Sequence, residues 1–145
     1  MHTEYCIDIP NIKVIGGSTE GEVLKLEVLS FLGDIDSKTG TVVSEDTGAV
    51  NNRIKDRILV VKKFRGSTVG VYVLYSLCRR GLAPRAIVSR EPDPVVVAGI
   101  VLCNIVGVFR VPENIVELIR NGDRIRIEPF ENGAKICIAS NFSSK

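Results

Sequence analysis

Three short β-branched runs constrain this chain more than any other feature: Ile58-Leu59-Val60-Val61, Arg85-Ala86-Ile87-Val88-Ser89 and Gly107-Val108-Phe109-Arg110-Val111. A short apolar run without alternation reads as a strand buried on both faces. Each run is separated from the next by a segment long enough for a helix, and the order strand, helix, strand, helix, strand is that of parallel strands joined by crossovers. The first helix is expected over 71–81. Leu74, Leu77 and Cys78 recur there at helical spacing, two arginines close it and Gly81 stops it. The second is expected over 95–105, with Asp93 as N-cap and Pro94 in the first turn, although its valines favour strands locally.

The flanking segments read differently. Residues 1–11 are a polar lead ending at Pro10, and Ile12-Lys13-Val14-Ile15 is a strand closed by Gly16-Gly17. Residues 18–22 read as a polar turn carrying Glu20 and Glu22, and 23–28 alternate as a half-buried strand. The stretch 29–36 runs into the turn Ser37-Lys38-Thr39-Gly40, Thr41-Val42-Val43 is a short strand, and 44–57 form a polar loop. Beyond the third run, 114–120 is a short helix. Residues 123–128 and 134–138 form two strands about the turn Glu131-Asn132-Gly133, and the chain turns polar from Ser140. The expected fold is α/β: one domain over 1–145, with a small parallel sheet, crossover helices, and a mostly antiparallel β layer built from the two ends. No internal repeat or linker interrupts it.

Composition excludes several partners. A net charge of +2, no tryptophan and no basic-aromatic interleaving argue against nucleic acid or an anionic membrane surface. No apolar stretch reaches the roughly 20 residues of a spanning helix, and no leader pattern opens the chain. Cys6, Cys78, Cys103 and Cys137 lie far apart without a CxxC, and His2 is the single histidine, so metal ligation within this chain is not expected. The cysteines read as small core residues in a reducing cytoplasm.

Chemistry concentrates in Lys62-Lys63-Phe64-Arg65-Gly66-Ser67-Thr68-Val69-Gly70, between the first buried run and the first helix. A strand, a glycine-bearing turn and a helix start place Ser67 and Thr68 where free N–H groups and the positive end of the dipole gather. Arg65 adds a fixed cation two residues away. Two readings stand side by side: the hydroxyls are helix caps, or the site binds an anion and moves a proton. A Ser-His-Asp triad within the chain is disfavoured by the lone His2; a GxSxG elbow and a Walker loop are absent. Lys62, Lys63 and Arg65 are either a solvated edge or a carboxylate- or phosphate-recognising cluster. Glu91 and Asp93 end the second buried run, at the kind of strand end where sites collect, and Asp93 also suits a plain cap.

Four motifs, Gly16-Gly17-Ser18-Thr19-Glu20-Gly21-Glu22, Leu29-Ser30-Phe31-Leu32-Gly33-Asp34-Ile35-Asp36, Arg65-Gly66-Ser67-Thr68-Val69-Gly70 and Ser89-Arg90-Glu91-Pro92-Asp93-Pro94, occur in the order found in the small-subunit, swivel-domain half of the aconitase X family, which this chain resembles. The resemblance implies the swivelling β/β/α three-layer fold. It also implies a hydro-lyase active only with a large subunit, which carries an iron–sulfur cluster and most of the substrate site. The implied reaction is dehydration of mevalonate 5-phosphate to trans-anhydromevalonate 5-phosphate in the archaeal route to isoprenoids. The cluster's iron would act as a Lewis acid on the departing hydroxyl. The family's proton-accepting serine, the one after Arg-Gly, falls on Ser67, with Arg65, Gly66, Thr68 and Lys63 as substrate-binding candidates. Thr68 and Val69 stand where the family has a serine and a threonine, and Thr19 where it has an alanine. A cis-3-hydroxyproline dehydratase of the same family and a non-catalytic anion-binding module are the alternatives. If the partner docks on the Arg65 face, an apolar patch should surround it.

Overall fold

Strand β3 belongs to two sheets at once, and the architecture follows from it. The computed structural model describes residues 4–66 and 68–140. Along the chain run β1 (Glu4–Pro10), β2 (Lys13–Ile15), β3 (Thr19–Leu26), the irregular turn α1 (Phe31–Asp34), a 3-10 turn (Glu45–Thr47) and β4 (Ile58–Val61). Then come α2 (Gly70–Arg79), β5 (Ala86–Ser89), α3 (Pro94–Cys103), β6 (Val106–Phe109), α4 (Glu113–Leu118), β7 (Arg124–Phe130) and β8 (Gly133–Ala139). The strand order is β1-β8-β7-β3-β4-β5-β6-β2. The first half of β3 pairs antiparallel with β7, Glu20 opposite Arg126; its second half pairs parallel with β4, Val23 opposite Ile58.

That division folds the sheet into layers. Val23, Ile58, Val60, Val88 and Val108 face Ile125, Ile127, Ile136 and Ile138 of the antiparallel flank and form the inner core. Leu24, Leu26, Leu59, Val61 and Ile87 point the other way, onto Leu74 and Leu77 of α2 and Val96 and Ile100 of α3. The period-two alternation of strand side chains assigns each residue to one core or the other. The expected β/β/α arrangement is therefore present. β4, β5 and β6 are buried throughout, as four-residue strands covered on both faces must be.

Several segments differ from expectation. Residues 1–11 are no polar lead where described: 4–10 form β1, zipped to β8 with Ile7 opposite Ile136 and Ile9 opposite Ala134. The polar turn over 18–22 is instead the start of β3, its glutamates on an outer face. Thr41-Val42-Val43 forms isolated bridges, Ile35 to Val42 and Thr41 to Arg53, rather than a strand. Nor are the cysteines free core thiols: Cys6 is joined to Cys137 and Cys78 to Cys103. The reason is spatial. Strand register sets Cys6 directly opposite Cys137, and packing of α2 on α3 carries Cys78 to Cys103. Cα atoms 5.8 Å apart at the second pair fit a disulfide. Among the described residues no helix is long and apolar enough to cross a membrane.

Candidate functional site

The parallel strands β4, β5 and β6 end together, and their C-terminal ends feed the loops that carry the chemistry-bearing residues. This is the edge at which open α/β sheets collect ligands. Past β4 the chain stays extended and clings to its neighbour: Lys62 N–H donates to Leu26 O at 3.0 Å, Leu29 N–H to Lys63 O at 2.9 Å, and Arg65 N–H to Leu29 O at 2.9 Å. This short pairing fixes Arg65 over the irregular turn α1.

There Arg65 meets a buried carboxylate. Its Nη2 lies 3.0 and 3.1 Å from the two oxygens of Asp34, and its Nη1 3.4 Å from Asp46 Oδ2. The Asp34 side chain is 4% exposed, whereas Arg65 remains 48% exposed. Asp34 also accepts the Ser30 N–H at 2.7 Å. A carboxylate so enclosed needs these partners, because an unpaired buried charge is costly. Arg65 is thereby held in one orientation with much of its guanidinium open to solvent, a preorganised donor for an anion. Neither sequence pattern nor motif had singled out Asp34 as a site residue. The available signal was one acidic residue inside the apolar stretch 29–35.

Gly66 is exposed and faces α3. A Cβ at this position would stand 3.6 Å from Asp93 Oδ2. Asp93 caps α3 as expected, its Oδ1 accepting the N–H groups of Val95 at 2.9 Å and Val96 at 3.1 Å. Leu29, Phe31, Phe64, Arg65, Gly66 and Gly70 line a crevice here together with Asp93, Val95 and Val96. Thr68 is exposed, and it is not the helix cap: α2 starts from Val69, which makes no side-chain cap bond. Ser67 lies outside the described residues. Lys63 is exposed beside this loop. Lys62 points away, bridging Glu27 and Glu117 at 3.5 Å each. These two carboxylates, Glu27 foremost, raise its pKa above the ordinary lysine value. Glu20 and Glu22 belong elsewhere, Glu20 paired with Arg124 at 3.3 Å and Glu22 with Arg57 at 3.9 Å.

Leu32 is 47% exposed, Val69 46% and Tyr72 72%, all on the α1–α2 side of the loop. Exposed aliphatic and aromatic side chains on the elements that flank this loop are of the kind a docking surface uses. A larger open cleft lies further along the same edge, at Lys13 and Arg110; it includes none of the predicted site residues.

A helix-backed parallel sheet sandwiched against an antiparallel flank, with an arginine-bearing loop at the strand ends, defines a swivel-type β/β/α domain of an enzyme. The sequence model of the aconitase X swivel domain matches residues 8–136, and the chain belongs to that family. It is 39% identical over 113 residues to the phosphomevalonate dehydratase small subunit of Methanococcoides burtonii, covering 77% of this chain and 82% of the relative. It is 37% identical over 123 residues to the protein of the same name from Pyrococcus horikoshii, covering 84% and 90%. Among solved structures, the crystal structure of Thermococcus kodakaraensis aconitase X in its holo form superposes with a TM-score of 0.77 at 34% identity. That match covers 86% of this chain and 92% of the other.

Proposed function

We propose that this chain is the small subunit of a two-subunit hydro-lyase that dehydrates mevalonate 5-phosphate to trans-anhydromevalonate 5-phosphate, and that its large-subunit partner docks over the Arg65 loop. The observation that carries the reading is the Arg65–Asp34 pair: a guanidinium held by a buried carboxylate and half open, with Leu32, Val69 and Tyr72 exposed on the adjoining turn α1 and at the start of α2. Such an arrangement is half of a site, complete only when another surface closes it. The names of the curated relatives supply the substrate and the expectation of a large subunit.

In this reading Arg65, with Lys63, Gly66 and Thr68 beside it, holds the substrate's carboxylate or phosphate. Ser67 takes the proton from the carbon next to the carboxylate. The electron pair of that C–H bond becomes the second bond of the alkene, and the hydroxyl on the adjacent carbon leaves with its bonding pair. A serine is a weak base in water. Closure against the partner excludes water, and Arg65, two residues earlier in the chain, brings the positive charge that favours the oxygen's charged form. An iron–sulfur cluster does not fit this chain: its four cysteines are in disulfides, and no group of three potential ligands converges among the described residues. In this reading the cluster belongs to the large subunit.

The test is reconstitution with the large subunit. The wild-type pair is expected to dehydrate mevalonate 5-phosphate, and Ser67→Ala to assemble normally while losing turnover by roughly 10²–10⁴-fold, the usual worth of a positioned proton acceptor. Near-wild-type turnover in that variant removes Ser67 from the mechanism. An inactive wild-type pair removes the substrate assignment.

A further inference from the structure

Three connections meet at the edge strand β2 and line an open cleft of about 400 Å³: the β1–β2 turn at Asn11, the β7–β8 turn at Asn132, and Arg110, the residue after β6. Asn11 N–H donates to Asn132 O at 2.6 Å, and Arg110 N–H to Arg90 O at 2.9 Å. Lys13, the first residue of β2, stands opposite Phe109 and so neighbours Arg110 across the strand pair. Asn11, Arg110 and Asn132 all hold a positive φ, 63°, 67° and 69°. Asparagine tolerates that region, whereas other side chains seldom enter it. Among the described non-glycine residues with positive φ, Arg110 alone is neither Asn nor Asp. Phe109 and Val111, buried on either side, hold it there. Backbone strain of this kind persists only where the surroundings impose it, and it gathers at ligand sites.

Donors line the cleft without acceptors to match them. No side-chain hydrogen bond or ion pair joins Asn11, Lys13, Arg110 or Asn132 to another described residue. No carboxylate lines the cleft, Glu131 of the adjoining turn included. Arg110 also borders a second cleft, but there Glu91 and Glu113 accompany Arg90, and the charges are matched. Two uncompensated cations suit a phosphate monoester, which carries close to two negative charges and three acceptor oxygens. A carboxylate would leave one cation unanswered. Buried Ile12 and exposed Phe130 add an apolar wall. The Phe130 ring lies against Gly133, where a Cβ would stand 2.9 Å from it. An apolar wall with a few polar groups, at a volume within roughly 300–1,000 Å³, is the usual make-up of a small-molecule site.

We propose that this cleft binds a small phosphate monoester, its phosphate held by Lys13 and Arg110 and its apolar tail against Phe130 and Ile12. The cleft shares no lining residue with the crevice beside Arg65, and the proposal does not rest on the dehydratase reading.

Titration of the isotope-labelled full chain, followed by NMR, decides it, with butyl phosphate, inorganic phosphate and butanoate as probes. Butyl phosphate is expected to move the backbone and side-chain amide signals of Asn11 and Asn132 and the backbone signals of Lys13 and Arg110. It should bind roughly tenfold tighter than butanoate and several-fold tighter than inorganic phosphate. Lys13→Gln and Arg110→Gln should each weaken it roughly tenfold. Phe130→Ala should erase its advantage over inorganic phosphate. Lys13 is exposed on an edge strand, so its variant keeps the fold even where the strained Arg110 position does not tolerate change. Either other probe binding as tightly as butyl phosphate overturns the proposal. So do signals that move elsewhere, or binding that survives both charge removals. Calorimetry on the assembled pair should return the same affinity; if assembly abolishes binding, the partner fills the cleft and the proposal falls.

Discussion

The antiparallel flank and the helix-backed parallel half draw on the same aliphatic residues, yet their strands stop in different ways. β7 and β8 run seven residues each and are joined by the two-residue turn at Glu131-Asn132, so their ends are consumed by each other. β4, β5 and β6 run four residues each, are buried throughout, and stop in register with no hairpin to tie off their ends. Their loops must instead find partners of their own. Arg65 finds Asp34, Asp93 finds the N-terminus of α3, and the Ser89 hydroxyl finds no partner among the described residues. The difference teaches where chemistry gathers in such a fold: hairpins satisfy themselves, whereas parallel strand ends leave groups to be satisfied by a neighbour or a ligand.

The largest expected effects come from the disulfides, one in each region. Cys6–Cys137 pins the edge strand β1 to β8 across a separation of 131 residues; Cys78–Cys103 pins α2 to α3 across 25. Loop-closure entropy puts their removal at about 5 and about 3.5 kcal/mol respectively, as upper values. Denaturant unfolding of Cys6→Ser and Cys78→Ser should therefore rank the flank's staple above the helix layer's. Equal losses would mean that the unfolded chain is too compact for the separation to matter. Thiol labelling of the folded, oxidised protein should find no reactive cysteine.

Two glycines offer a medium-sized contrast. A Cβ on Gly133, in the flank, would collide with the Ile9 backbone carbonyl and stand 2.9 Å from the Phe130 ring. One on Gly99, in α3, would lie 2.7 Å from Leu74 Cδ2, the tip of a side chain that can rotate. Gly133→Ala should cost about 3 kcal/mol and Gly99→Ala about 1, within the usual range for overpacking, as read from thermal melts. The reverse order would show that the helix layer, rather than the flank, is the stiffer region.

The smallest effect lies at the seam between the two. Lys62, raised above 10.5 by Glu27 and then Glu117, contributes stability that is fully present below that value and lost as pH climbs through the higher folded value. Lys25 does the opposite. Its Nζ donates to the carbonyls of Val116 and Ile119 at 2.7 Å each, and burial lowers its pKa. Its contribution grows as pH rises from the lowered value toward 10.5. Unfolding measured between about pH 9 and 11.5 should lose its alkaline decline in Lys62→Met. An unchanged profile would show that the solvent-exposed pairs are fully screened.

Sequence reading succeeded where local pattern and tertiary packing agree. Ile58-Leu59-Val60-Val61 has no alternative to a buried strand, and Asp93 followed by Pro94 announces a helix start that the structure supplies. It failed where the decisive neighbour is distant in the chain. Tyr5, Ile7 and Ile9 alternate, but the interleaved polar residues and Pro10 conceal an edge strand whose partner is some 130 residues away. Cysteine pairing depends on that same register. Asp34 is recognised only once Arg65, 31 residues on, is seen to reach it. Thr68 looked like a cap because hydroxyls favour that position, yet α2 begins at Gly70 and Val69 is its N-cap.

The strand held in common by both halves carries a last implication. Val23 and Leu24 stand side by side in β3 and serve opposite cores. One extra residue inserted after Glu22 would exchange their sides, sending the sandwich's share toward the helices and the helices' share into the sandwich. Length along this stretch is therefore fixed twice over, and natural variants of the chain should vary in residue type here but never in residue number.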